Sequence, residues 1–72
     1  MKKRKVVIST LSGDVFENVV DKLEAMEVDI VEKRYDLLYH RYEIYVKTTL
    51  RQNYKLRHFI KSLDANFMDF GS

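Results

Sequence analysis

The chain has no cysteine, no proline and only two glycines. Without cysteine there is no disulfide, no thiolate metal site and no dithiol chemistry, so copper-chaperone and redox functions are excluded. Without proline, and with so little glycine, most of the backbone is available to helices and strands. No run of apolar residues exceeds three (Val6-Val7-Ile8 is one such run). That excludes a membrane-spanning segment and a signal peptide within these residues. Charge of one sign is scarce too, with a net charge of +2. The lack of cysteine suits a cytoplasmic setting.

What is present is ordinary globular composition: 46% apolar and 33% charged residues, in 72 residues. A chain of this length makes one domain, residues 1–72, near the lower limit for a self-sufficient core, and such a core gains from a partner. Lys2, Lys3, Arg4 and Lys5 hold four of the thirteen basic residues. Residues 1–4 read as a basic, flexible end, a nucleic-acid contact, or the cytoplasmic flank of a membrane helix in a longer protein.

Val6, Val7, Ile8 and Leu11 mark a buried strand at about residues 5–11. Asp14 and Glu17 have capping-box spacing, with Asp14 as the cap of a first helix. Phe16, Val19, Val20, Leu23 and Met26 form its apolar face, and the helix ends near Met26 or Glu27. Val28, Ile30 and Val31 restart β character. Farther on, Tyr42, Ile44, Val46 and Thr48 share one strand face and Glu43, Tyr45, Lys47 and Thr49 the other. Thr49 and Gln52 again have capping-box spacing, ahead of a helix with core face Leu56, Phe59, Ile60 and Leu63. Asp64-Ala65-Asn66 is a turn, and Phe67, Met68 and Phe70 make a last strand. The order β-α-β-β-α-β predicts a ferredoxin-like α+β fold, with four antiparallel strands and two helices on one face.

Two helices cover one face of such a sheet, and the other stays open. Tyr45 is predicted on the open face. Period-two counting puts Tyr35 on the side opposite to Ile30 and Glu32. Between the middle strands, RYDLLYHRYEIYVK places Leu37, Leu38, Tyr39 and His40 at a reversal that has no glycine, proline or asparagine. Either the strands run on and curl over the helices, or the apolar tip is an association surface. The second choice predicts a homodimer, or contact with other domains of a parent protein, through Tyr35, Leu37, Leu38, Tyr39 and Tyr45.

Signals for chemistry are few. His40 and His58 lie on different elements with no ligand spacing around either, so no metal site is expected. No serine or threonine has a His–carboxylate arrangement to activate it, so no catalytic residue is expected and the chain reads as non-enzymatic. Ser12-Gly13-Asp14 leads into a helix N-terminus, where a small anionic ligand finds free N–H groups, although Asp14 opposes an anion. Single-stranded RNA binding is the alternative function. It would use Tyr45 with Lys3, Arg4, Arg41 and Lys47, but no glycine–aromatic pattern accompanies them and Glu43 stands beside Tyr45.

The stretch VFENVVDKLEAMEVDIVE, Val15 to Glu32, resembles an ACT-like regulatory domain. Val28-Asp29-Ile30 stands where that family has Ile-Asn-Ile. Gly13-Asp14 stands in place of the family's Pro-Gly, and Glu27 in place of a glycine before the second strand. The resemblance implies a regulatory module without catalysis or cofactor, with a small ligand near Ser12, Gly13 and Asp14. In length and element order the chain is also similar to the cytoplasmic C-terminal domains of MgtC-like membrane proteins, which implies a place in a larger membrane protein.

Overall fold

The computed structural model describes residues 2–71. In chain order the elements are β1 (Arg4–Thr10), α1 (Gly13–Ala25), β2 (Asp29–Asp36), β3 (Arg41–Thr48), α2 (Leu50–Ile60) and β4 (Asn66–Gly71). The four strands form one antiparallel sheet in the order β2-β3-β1-β4. This is the ferredoxin-like α+β arrangement that the element order predicts.

The periodicities of strand and helix meet in a single core. Val6 and Ile8 of β1 pair with Val46 and Ile44 of β3. Paired residues share a face, and against this one pack Val19 and Leu23 of α1 and Leu56 and Ile60 of α2. All eight are at most 2% exposed. Burying side chains of this size is worth about 1.5–3 kcal/mol each, so this face is the main source of stability.

The helix ends explain where the elements start and stop. Thr49 caps α2 in a complete capping box: its hydroxyl accepts from Gln52 N at 3.1 Å, and Gln52 Oε1 accepts from Thr49 N at 3.0 Å. At α1 the cap is Ser12, not Asp14. The Ser12 hydroxyl accepts from Val15 N at 3.3 Å, which moves the helix start forward and leaves Asp14 in the first turn. A carboxylate there still interacts favourably with the positive helix end. Helix α1 closes with Val28 N donating to Leu23 O and Glu27 N donating to Glu24 O. This is the Schellman pattern, and it needs a left-handed residue at its hinge. Glu27 supplies it at φ 57°. The Gln52 side chain donates to the Met26 and Glu27 carbonyls at 3.3 and 3.4 Å, tying the start of α2 to the end of α1.

Three further expectations are corrected. Strand β1 begins at Arg4 and stops at Thr10, and Leu11 lies outside it, 71% exposed. Arg4 is therefore sheet rather than part of a flexible end; its Nε meets Asp69 Oδ2 at 2.9 Å. The part of that expectation that falls on Met1 lies outside the described residues. Third, a bulge at Val31 shifts the β2–β3 register: Ile30 pairs with Val46, Glu32 with Tyr45 and Tyr35 with Tyr42. Ile30 and Tyr35 thus share the helix-covered side, which strict alternation forbids.

Candidate functional site: the hairpin tip and the open sheet face

The tip between β2 and β3 reverses by means of its flanking residues. Asp36 Oδ1 accepts from Leu38 N at 3.0 Å and from Tyr39 N at 3.3 Å, an aspartate turn that takes the place of glycine chemistry. His40 takes the left-handed conformation at φ 52°, which histidine tolerates better than most residues. Its Nδ1 lies 3.2 Å from the Tyr35 hydroxyl. The strands end at Asp36 and Arg41 and do not curl over the helices. Leu37 and Leu38 are left 77% and 78% exposed, with Tyr39 at 63%. The Arg41 guanidinium lies 5.6 Å from the Tyr39 ring centre. Beside the tip a hollow of about 410 Å³ is lined by Arg34, Asp36, Leu37, Leu38 and Glu43, among others.

Tyr35 and Tyr45, named with the tip in the sequence, lie elsewhere. Tyr35 packs on Tyr42 with ring centres 4.8 Å apart, and Tyr42 stacks on Phe16 at 5.0 Å. This ladder anchors the hairpin to α1. Tyr45 is on the open face, as alternation predicts, paired with Val7.

On that face an apolar band crosses the whole sheet. Val7 pairs with Tyr45 on one side and Met68 on the other. Both edge strands add a residue by means of a bulge. Val31 is the extra residue of β2 opposite Tyr45, and Phe70 is the extra residue of β4, between Asp69 and Gly71. Val31, Val7, Tyr45 and Phe70 line one groove of about 540 Å³ together with Lys5 and Lys47. Val31 and Phe70 are 56% and 66% exposed.

The charges around the band fall into two groups. Its carboxylates are paired within the chain: Glu32 with Arg34 at 3.1 Å, Glu43 with Arg41 at 3.3 Å, Asp36 with Arg41 at 3.7 Å and Asp29 with Lys3 at 3.8 Å. Arg41 Nε is shielded from solvent and meets Glu43 without the alignment of a hydrogen bond. Lys5 and Lys47, by contrast, face each other across β1 and β3. Among the described residues neither has a carboxylate within ion-pairing distance.

Ser12, Gly13 and Asp14 stay together at the start of α1, but the space there is taken. A side chain at Gly13 would meet the Tyr42 hydroxyl at 3.2 Å. Ser12 N donates to Thr10 Oγ1 at 3.1 Å, and Thr10 Oγ1 donates to the Asp64 carbonyl at 2.8 Å. His58 is exposed beside Tyr54, with ring centres 6.4 Å apart. Among the described residues no three His, Asp or Glu side chains gather as a metal site would require. No helix of the described residues is long and apolar enough to cross a membrane.

Sequence reasoning missed one polar centre. Asp69 is 11% exposed at its side chain. It accepts from Arg4 Nε at 2.9 Å, Gly71 N at 2.8 Å, Asn53 Nδ2 at 3.0 Å and an Arg57 terminal nitrogen at 3.5 Å. Burial pushes its carboxyl upward, but the donors from Arg4, Gly71 and Asn53 outweigh this and hold it below the usual carboxylate value. Asp69 joins β1, α2 and β4, a structural role. The only sequence signal is an acidic residue between Met68 and Phe70.

No protein-family model matches the chain. No curated protein matches its sequence either.

Proposed function

We propose that this domain is a non-enzymatic regulatory or association module that works by pairing its hairpin tip with a second copy of the chain. One observation carries the reading. Leu37 and Leu38, each more than three-quarters exposed, stand on a turn fixed by Asp36 and His40. A fixed apolar tip binds with less loss of conformational freedom than a floppy one. The tip also stands beside a hollow built from the same hairpin. A projection next to a hollow on one surface is the self-matching shape that a two-fold pair requires. A core this small gains stability from any partner that binds only the folded state. The ACT-like resemblance gives such a module a regulatory setting, in the cytoplasm and joined to a larger membrane protein. A small ligand at Ser12, Gly13 and Asp14 is not part of this reading, because Tyr42 stands against Gly13.

The test is molar mass by light scattering over a hundredfold range of concentration. The parent chain is expected to approach twice its monomer mass as concentration rises. Leu38→Ser with Tyr39→Glu is expected to stay monomeric with an unchanged circular dichroism spectrum. A parent chain that remains monomeric throughout refutes the reading.

A further inference from the structure

The open face carries a second feature that tip pairing does not use. Like charges placed directly opposite on neighbouring strands repel and destabilise the pair. Lys5 and Lys47 are so placed, on the two central strands. The four carboxylates around them already hold Lys3, Arg34 or Arg41. The uncompensated positive charge therefore calls for an anion from outside the chain.

What that anion is attached to follows from the groove beside it. The lining is mostly apolar, and it includes a phenylalanine 66% exposed that the β4 bulge turns onto this face. Next to it the Arg34 guanidinium lies over Tyr45, 5.9 Å from the ring centre. An exposed ring and an arginine–tyrosine pair are flat surfaces on which planar groups stack. Anionic groups at one edge and flat rings across the floor are the complement of a nucleotide. The rings of a single strand are free to stack, whereas those of a duplex are not. Lys2 and Lys3, both exposed just before β1, extend the basic edge beyond Lys5.

We infer that the open face binds single-stranded nucleic acid, with phosphates on Lys5 and Lys47 and a base stacked on Phe70. This differs from the RNA contact read from sequence, which relied on Arg4 and Arg41. Arg4 is held by Asp69 and Arg41 by Glu43 and Asp36. The site lies on the sheet face and not at the tip, so binding and self-pairing are separable.

The test is fluorescence anisotropy with labelled ten-residue oligouridine and oligothymidine, across a range of salt. Binding of both marks recognition of base and phosphate; binding of oligouridine alone adds a role for the ribose hydroxyl. Lys5→Ala with Lys47→Ala is expected to weaken binding and to flatten the salt slope by about 1.4, at about 0.7 for each phosphate no longer neutralised. Phe70→Leu, at an exposed site the fold tolerates, is expected to weaken binding about tenfold through weaker stacking. Lys55→Gln with Lys61→Gln, on the exposed side of α2, is the control and should leave binding unchanged. Any of three results overturns the inference: no binding by the parent chain, equal binding to a duplex, or equal loss in the α2 control. The Leu38→Ser, Tyr39→Glu variant should bind the strand as the parent does, whether or not the parent pairs.

Discussion

Removing the Asp69 carboxylate tests how three elements are held together. Each hydrogen bond to a charged group contributes about 1.5–3 kcal/mol when well made, and a buried donor left without a partner carries a similar cost. The four contributions are not additive. Arg57, with its side chain 61% exposed, adds little. Gly71 N, Arg4 and the buried Asn53 amide carry most of the effect. For Asp69→Ala we expect a loss of about 3 kcal/mol, from a total of about 4–11 kcal/mol for a domain of this length. The midpoint of thermal unfolding should fall by about 12–24 °C. The pH dependence follows from the direction of the shift. With its donors outweighing burial, Asp69 is more acidic folded than unfolded. Its contribution is complete above the ordinary carboxylate value near 3.9 and is lost as pH falls through the lower folded value. Urea unfolding at pH 7 and at successively lower pH, for parent and variant, gives both quantities. A difference under about 0.5 kcal/mol at pH 7, or one that persists undiminished in strong acid, would refute the reasoning.

Three other substitutions probe the turns and caps. Glu27→Gly relieves a left-handed residue at the end of α1 and should stabilise the domain by about 1 kcal/mol in urea unfolding; a loss of stability would contradict the strain assigned there. Asp36→Ala removes the acceptor that holds Leu38 N and Tyr39 N. It should cost about 1 kcal/mol and speed hydrogen exchange at those two amides, and unchanged exchange would count against the aspartate turn. Gln52→Ala breaks the α2 capping box and the link to Met26 and Glu27. We expect a loss of about 1–2 kcal/mol, whereas Gln52→Glu, which keeps the reciprocal acceptor, should recover part of it.

The sequence was most legible where one physical signal acts alone. Two-residue alternation in β3 places Ile44 and Val46 in the core and Tyr45 on the open face, as the structure has them. Helical spacing places Val19, Leu23, Leu56 and Ile60 correctly for the same reason. It was least legible where two signals compete. Asp14 and Ser12 both suit a helix cap, and spacing to Glu17 favours the wrong one. Tyr35 is misplaced because the Val31 bulge resets the count, and nothing in the local composition marks the bulge. The Asp69 centre joins residues 65 positions apart. Lys5 and Lys47 are ordinary exposed lysines until the register of β1 on β3 sets them face to face.

The two bulges do more than shift register. A regular β2 or β4 would alternate strictly and would give the open face one residue fewer at each edge. The irregularities fall on the two edge strands, beside the same central pair of Val7 and Tyr45, and each adds an apolar side chain to the open face. Stability of the isolated domain does not call for this, since Val31 and Phe70 remain more than half exposed. Edge strands more commonly carry charge, which discourages pairing with other chains. Here β2 does so with Glu32, Lys33 and Arg34, yet it places Val31 among them. β4 likewise places Asp69 toward the helices and Phe70 toward the groove. The bulges thus separate two requirements within each edge strand: charged or hydrogen-bonded residues guard the edge, and one apolar residue faces what the open sheet binds. Val31→Thr and Phe70→Thr should therefore leave the urea midpoint nearly unchanged while weakening whatever occupies the groove. A large loss of stability from either substitution would instead make the bulges part of the core.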